Sequence, residues 1–253
     1  MCVAVACSVN AAVRVCCRSR MPLSGVGQLT VEKTPSYFVT PGAAQRVYNM
    51  SRDVRLLVVV RDPVTRALSH FTQAQSATRR RRRRADPRSF ERRAFLDAQA
   101  QSTPCHRGHV DPRSFERRAF LDAARTAVDT SWPAISVGLY ARHAASWLRQ
   151  FPRSHVHFVH GDRLVTDPAA QLADVQAFLG LRPLVTRQHF HFNATKGFPC
   201  VRTSARSRPR CLGDTKGRVH PHVDADVLSR LRDFYRPHNE QFYAMTGVDF
   251  GWN

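Results

Sequence analysis

The run Leu56-Leu57-Val58-Val59-Val60 stops abruptly at Arg61-Asp62-Pro63, and no other stretch limits the possible folds so sharply. A continuous apolar run rich in β-branched residues reads as a strand covered on both faces of a parallel sheet. Asp62 suits an N-cap and Pro63 a first helical position, so a helix begins where the strand ends. Such a junction turns unpaired N–H groups and the positive end of the helix dipole toward one spot. Arg61 brings a planar fork of donors there, and Ser69 adds a hydroxyl from the new helix. Arginine pairs bidentately with phosphate, each charge-assisted bond contributing roughly 1.5–3 kcal/mol. The junction therefore reads as an anion site for a phosphate, or as an ordinary polar loop closing a βα unit. Taken alone, the segment fits both.

Regular elements flank it on either side. Leu29 to Val31 reads as a short strand running into Glu32-Lys33-Thr34-Pro35-Ser36-Tyr37, and 41–50 reads as a helix with Pro41 near its start. The helix from Pro63 is expected to reach about Gln73. Downstream, 137–151 carries Leu139, Tyr140, Ala144, Trp147 and Leu148 at helical spacing, one buried face. Val156 to Val159 is a strand by β-branching. Asp167-Pro168 opens a helix through Leu179, with Gly180 as its C-cap. Asp224 to Tyr235 is amphipathic, and 242–252 packs the C-terminus. Strands alternating with helices predict a three-layer α/β fold around a parallel sheet.

Order breaks between 74 and 123. Arg79 to Arg84 is an unbroken block of arginines that repels itself and is expected to form no packed element. The segment DPRSFERRAFLDA at 86–98 recurs identically at 111–123. Two copies fall short of the three or so that a solenoid needs, so this reads as a local duplication or as an error in how the chain was assembled from its gene. One copy is expected to dock and the other, with the arginine block, to form a loose surface insertion.

At 253 residues the chain can bury the core of one α/β domain. Its 39 Lys and Arg against 19 Asp and Glu give +20, which points to a polyanionic partner: nucleic acid, anionic membrane or acidic polysaccharide. Lys33, Lys196 and Lys216 are the only lysines; the excess lies in arginine. No apolar stretch reaches the roughly 18 residues of a membrane-spanning helix, and 1–17 lacks the basic start of a signal peptide. Cys200 and Cys211 bracket a loop rich in Ser, Arg and Pro, read either as a disulfide of a secreted or lumenal protein or as two free thiols. Cys2, Cys7, Cys16, Cys17 and Cys105 have no zinc-site spacing, and no metal is expected.

Arg61 followed by seven residues and Ser69, behind a buried strand, resembles the 3′-phosphate element of sulfotransferases that use 3′-phosphoadenylyl sulfate. VEKTPSYFVT upstream, with HFNATKGFPC and RCLGDTKGRVHPH downstream, is similar to the heparan sulfate glucosamine 3-O-sulfotransferases. The likeness covers about 21–73 and 127–253, leaving 1–20 unmatched. It implies an enzyme of three-layer, P-loop-like fold that moves a sulfuryl group from 3′-phosphoadenylyl sulfate to the 3-hydroxyl of a glucosamine in heparan sulfate. It also implies a Golgi location, with heparan sulfate and the nucleotide as partners and no nucleic acid.

Residue by residue, the resemblance gives Arg61 and Ser69 the 3′-phosphate, and lets Lys216, Gly217, Arg218, Val219 and His220 close over the donor. Two cations flanking a glycine let backbone approach a phosphate. Lys33 stabilises charge on the transferring group, while Thr34, Pro35 and Ser36 line the sugar cleft. Trp132 stands at the substrate-contacting tryptophan, against the alternative of a core residue, with Pro133 where a small polar residue is usual. His70 stands where the family tends to have Asp, and His160-Gly161-Asp162 replaces Ser-Gly-Glu. A Cys200–Cys211 disulfide and the sequons at Asn49 and Asn193 suit a secretory route.

The family's phosphosulfate loop, its first strand and the glutamate that serves as general base would all precede Met21. None is found there, and the early acidic residue is Glu32. The expectation is a truncated form with exposed sheet edges and little or no turnover. The rivals are a non-catalytic binder of heparan sulfate or nucleotide and a basic nucleic-acid-binding protein, the latter short of aromatics beside its basic run.

Overall fold

Leu56, Val58 and Val60 are all fully buried, and the strand they belong to, β3 (Arg55–Val60), anchors everything around it. The computed structural model describes residues 2–8, 28–85, 112–204, 206–213 and 220–252. These fall into two units, one of Met1–Asp62, Leu139–Arg218 and Tyr235–Asn253, the other of Pro63–Gly138 and Val219–Phe234. The remaining elements in chain order are β1 (Cys2–Ser8), β2 (Leu29–Thr34), α1 (Ala43–Met50), α2 (Pro63–Ala85), α3 (Pro112–Ala119), α4 (Pro133–Ser136), α5 (Tyr140–Leu148), β4 (Val156–His160), α6 (Arg163–Thr166), α7 (Pro168–Leu179), β5 (Phe190–Asn193), β6 (Phe198–Val201) and α8 (Ala225–Thr246).

The first unit carries a sheet of order β2-β1-β3-β4, with β3 and β4 parallel and β1 antiparallel to both its neighbours. This corrects two expectations. Residues 1–20 contain a strand, and the central place expected to lie empty is filled by it, so neither β2 nor β3 has a bare edge on that side. The sheet is also mixed rather than all-parallel. Because β1 opposes both neighbours, β2, β3 and β4 still run the same way.

One face of the sheet meets α1 through Ala43, Ala44 and Val47, and α5 through Tyr140, Ala141, Ala144 and Trp147. Phe242, Phe250 and Trp252 close that layer, the last two rings stacked 4.7 Å apart. Trp147 Nε1 donates to Phe38 O at 3.2 Å, giving the one polar atom of a buried indole its partner. On the opposite face Phe178 of α7 stacks on His157 of β4 at 5.1 Å. Helix, sheet and helix make the three layers that the alternating elements predict. α7 forms as read, with Asp167 accepting from Ala170 N and Gly180 left-handed at its end.

In the second unit, α2 runs on to Ala85 instead of stopping near Gln73, so the arginine block is helical. The second copy of the repeated segment docks: Phe115 and Ala119 are fully buried, and Phe115 lies 5.4 Å from Phe71 and 5.5 Å from Trp132. The first copy, 86–98, lies outside the described residues.

Candidate active site

Three strands end side by side. Paired through β1, Lys33 stands level with Leu57 and Thr34 with Val58, so β2 ends close to the level at which β3 hands over to Arg61. Val60 pairs with His160, and Asp162 follows two residues on. Glu32 to Ser36, Arg61 and Asp162 therefore gather at the C-terminal edge of co-directional strands, where open α/β sheets bind their ligands.

The register also separates the neighbours Glu32 and Lys33. Lys33 shares a face with Leu57 and is exposed, free to reach a ligand. Glu32 shares the core face with Leu56 and Val58; the Thr34 hydroxyl donates to its Oε1, and its buried Oε2 has no partner. A carboxylate turned into the core is poorly placed to take a proton from a sugar hydroxyl. Pro35 and Ser36 are exposed, and Ser36 O caps the next turn by accepting from Thr40 N at 3.1 Å.

Arg61 is held rather than loose. Its Nε donates to Asp162 Oδ1 at 2.7 Å, and Asp62 N donates to Oδ2 of the same carboxylate at 2.9 Å. The Tyr140 hydroxyl donates to Arg61 O at 2.7 Å. Both charged side chains are about one-third exposed, 38% and 32%, so the pair adds at most about 1 kcal/mol to stability. Its effect is orientation: with Nε committed, the two terminal nitrogens remain as a pre-aimed fork. Asp162 can reach because Gly161 lets the β3 and β4 ends close up. Gly161 N donates to Val60 O at 2.6 Å, and a Cβ there would stand 2.5 Å from that oxygen. Sequence reasoning noted His160-Gly161-Asp162 only as a departure from the family. The signal was a glycine and an acid at the end of the strand neighbouring β3.

Ser69 lies in the second unit, half-buried on the inner turns of α2. Arg66, three residues earlier, is buried, and its Nη2 donates to Ala134 O, tying α2 to α4. His70 is half-buried, and burial first, then the Arg66 charge, lowers its pKa. Trp132 sits in the ring cluster with Phe71 and Phe115, with Arg118 over its indole at 5.8 Å, and Pro133 follows as the first residue of α4. His220 is half-buried; Lys216, Gly217, Arg218 and Val219 lie outside the described residues.

Cys200 and Cys211 form a disulfide. Asn193 is half-buried with both amide atoms engaged: Nδ2 donates to Cys211 Sγ at 3.6 Å, and Oδ1 accepts from Lys196 N at 3.0 Å. Asn49 is exposed near the end of α1. Among the described residues no cluster of His, Cys, Asp or Glu is arranged to hold a metal, and no helix is long and apolar enough to cross a membrane.

Comparison with known proteins bears on what this edge does. The family described as Sulfotransferase domain matches residues 16–246. Heparan sulfate glucosamine 3-O-sulfotransferase 3B1 of Homo sapiens is 48% identical over 239 residues, 93% of this chain and 53% of the relative. Heparan sulfate glucosamine 3-O-sulfotransferase 6 of Homo sapiens is 49% identical over 236 residues, 93% of this chain and 60% of the relative. The chain thus spans little more than half the length of the curated relatives it matches. A sulfotransferase structure from Alicyclobacillus acidocaldarius is 21% identical, with a TM-score of 0.48, covering 87% of this chain and 65% of the other.

Proposed function

The chain belongs to the sulfotransferase domain family, and from that premise we propose that it transfers a sulfuryl group from 3′-phosphoadenylyl sulfate to the 3-hydroxyl of glucosamine in heparan sulfate. Identity near one-half to relatives named for that reaction supports the choice of acceptor. The observation that carries the reading is the shared edge: an acceptor-side lysine and an oriented arginine at the ends of co-directional strands.

In the transfer, the acceptor oxygen forms a bond to sulfur as the bond from sulfur to the bridging phosphate oxygen breaks. The hydroxyl proton is released, and adenosine 3′,5′-bisphosphate leaves. Arg61 and Ser69 hold the 3′-phosphate, and Lys216, Gly217, Arg218, Val219 and His220 cover the nucleotide. Lys33 places a point charge where negative charge builds on the moving group, an interaction strongest in the transition state. Thr34, Pro35, Ser36, Trp132 and Pro133 seat the sugar. The core-facing Glu32 is not given the role of general base. Reaction on heparan sulfate places the protein in the Golgi, where the exposed Asn49 sequon is the better placed glycan acceptor; Asn193, its amide engaged, is the lesser one.

The test is incubation with radiolabelled donor and heparan sulfate, followed by mapping of the labelled position. Label on the 3-hydroxyl of glucosamine supports the reading; label at another position overturns it. Binding of adenosine 3′,5′-bisphosphate and heparan sulfate with no label transferred assigns the chain to the non-catalytic binders.

A further inference from the structure

Outside the sheet edge, the most unusual surface is the disulfide-closed hairpin of β5 and β6. From 186 to 213 the sequence contains Arg187, Lys196, Arg202, Arg206, Arg208 and Arg210 and not one Asp or Glu. Arg187 is paired with Asp167 at 3.5 Å. Arg206, Arg208 and Arg210 are exposed, and among the described residues none of the three has an ion pair. Like charges this close along a short loop repel one another, and a protein that needed only a turn here would gain from any acid among them.

The register shows what accompanies those cations. Phe190 pairs with Val201 and Phe192 with Pro199, so these four side chains share one face, while His191, Cys200, Asn193 and Phe198 take the other. Cys200 and Phe198 are buried, which makes the first face the outer one. Phe192 is 60% exposed and Val201 55%, high for apolar side chains on a strand pair. Val201 is bridged to Arg210, N to O at 2.9 and 2.7 Å, so Arg210 joins that outer face. A flat aromatic ring, an aliphatic side chain and a guanidinium lie side by side on a backbone fixed by the Cys200–Cys211 bond. β6 packs on α6, the short helix that begins directly after Asp162, so the hairpin adjoins the functional end of the sheet.

We propose that the outer face of this hairpin is a second contact surface for a sulfated polysaccharide, gripping the acceptor chain beyond the glucosamine that reacts. Sugar rings present apolar C–H faces that suit Phe192, and their sulfate groups suit the planar forks of Arg206, Arg208 and Arg210. The occupant is a polymer rather than a small anion because the cations are spread along the loop. This inference rests on the acceptor assigned above, and it concerns where the polymer is held, not the reacting atoms.

The test uses the full chain and size-defined heparin. Arg206→Ser/Arg208→Ser/Arg210→Ser and, separately, Phe192→Ser are compared with a control that removes equal charge elsewhere on the first unit, Arg142→Ser/Arg149→Ser/Arg182→Ser. The hairpin triple variant should bind long heparin about tenfold more weakly than the control does, the scale of three exposed charge contacts. Phe192→Ser should weaken binding without any change in charge. In turnover, KM for long chains should rise with kcat unchanged, and a tetrasaccharide too short to reach the hairpin should react as before. Equal weakening in hairpin and control variants would mean that net charge alone acts, and the proposal would fall. An equal loss for duplex DNA would reassign the face to polyanions in general and would overturn it too. Heparin affinity needs no turnover, so an inactive wild type would sink the proposed reaction while still reporting on the hairpin.

Discussion

Asp162 spends both carboxylate oxygens on the same junction, one on Arg61 Nε and one on the Asp62 amide. Asp162→Asn keeps one acceptor and turns an NH2 group against the other donor. Affinity for adenosine 3′,5′-bisphosphate should fall roughly tenfold, the worth of one charge-assisted bond, as measured by titration calorimetry. Adenosine 5′-phosphate, lacking the 3′-phosphate, should bind as before; an equal loss for both would mean that Asp162 serves the fold alone. A second residue-scale effect concerns His157, whose pKa is lowered, chiefly by burial against Phe178 and also by Arg153, with Asp174 opposing. The unfolded chain then binds more protons than the folded one below the ordinary histidine value of about 6.5. The contribution is complete above that value and is lost as pH falls toward the depressed folded pKa. His157→Gln should therefore flatten the fall in melting temperature between pH 7 and 5. The place of Arg61 at the end of β3 was legible because an apolar run, an acid and a proline follow one another within one short junction. Asp162 was not, because its partner lies a hundred residues away and only parallel pairing of β3 and β4 brings them together.

At the scale of elements, Gly161 closes the ends of β3 and β4 onto each other, and the contact leaves no room for a methyl group. Gly161→Ala should cost about 1–3 kcal/mol, the usual penalty for overpacking, read as a lower denaturant midpoint. Nucleotide affinity should drop with it, since Asp162 moves with the same turn. Reduction of Cys200–Cys211 should remove a further 3 kcal/mol or so, and Cys200→Ser/Cys211→Ser should match the reduced wild type in a denaturant titration. Where caps are local, elements were readable: α7 begins at Asp167-Pro168 and ends at Gly180 because those residues fix its ends by themselves. Where tertiary packing decides, they were not. The helix read over Asp224 to Tyr235 runs on as α8 through Pro237 to Thr246, because Tyr235, Asn239 and Phe242 on either side of that proline are buried. Likewise 137–151 narrowed to α5 once the turn around Gly138 and Leu139 was drawn into packing.

For the whole molecule, alternating strands and helices were enough to foretell three layers, but not that an antiparallel strand from 1–20 would take the middle of the sheet. The strand there is short and apolar, and register pairing of such strands is set by the sheet they enter. Charge was plain from composition, and it has a consequence of its own. A net +20 on 253 residues means that the compact state works against its own field, whereas the unfolded chain spreads the same charges apart. Among the described residues, the ion pairs of Arg125 with Glu116 and Asp224, Arg230 with Asp226, Arg187 with Asp167 and Arg61 with Asp162 involve partly exposed groups. Each contributes up to about 1 kcal/mol and is itself weakened by salt. Screening therefore acts in two directions, and the summed repulsion of the excess cations should dominate. Raising KCl from about 0.1 to 1 M shortens the screening length from about 10 to about 3 Å, and the melting temperature should rise across that range. Arg79→Gln through Arg84→Gln, which removes the densest cation block, should reduce the rise. A melting temperature that falls steadily with KCl would show that the exposed ion pairs outweigh the repulsion, and that the charge excess lies too far apart in the fold to act on its stability.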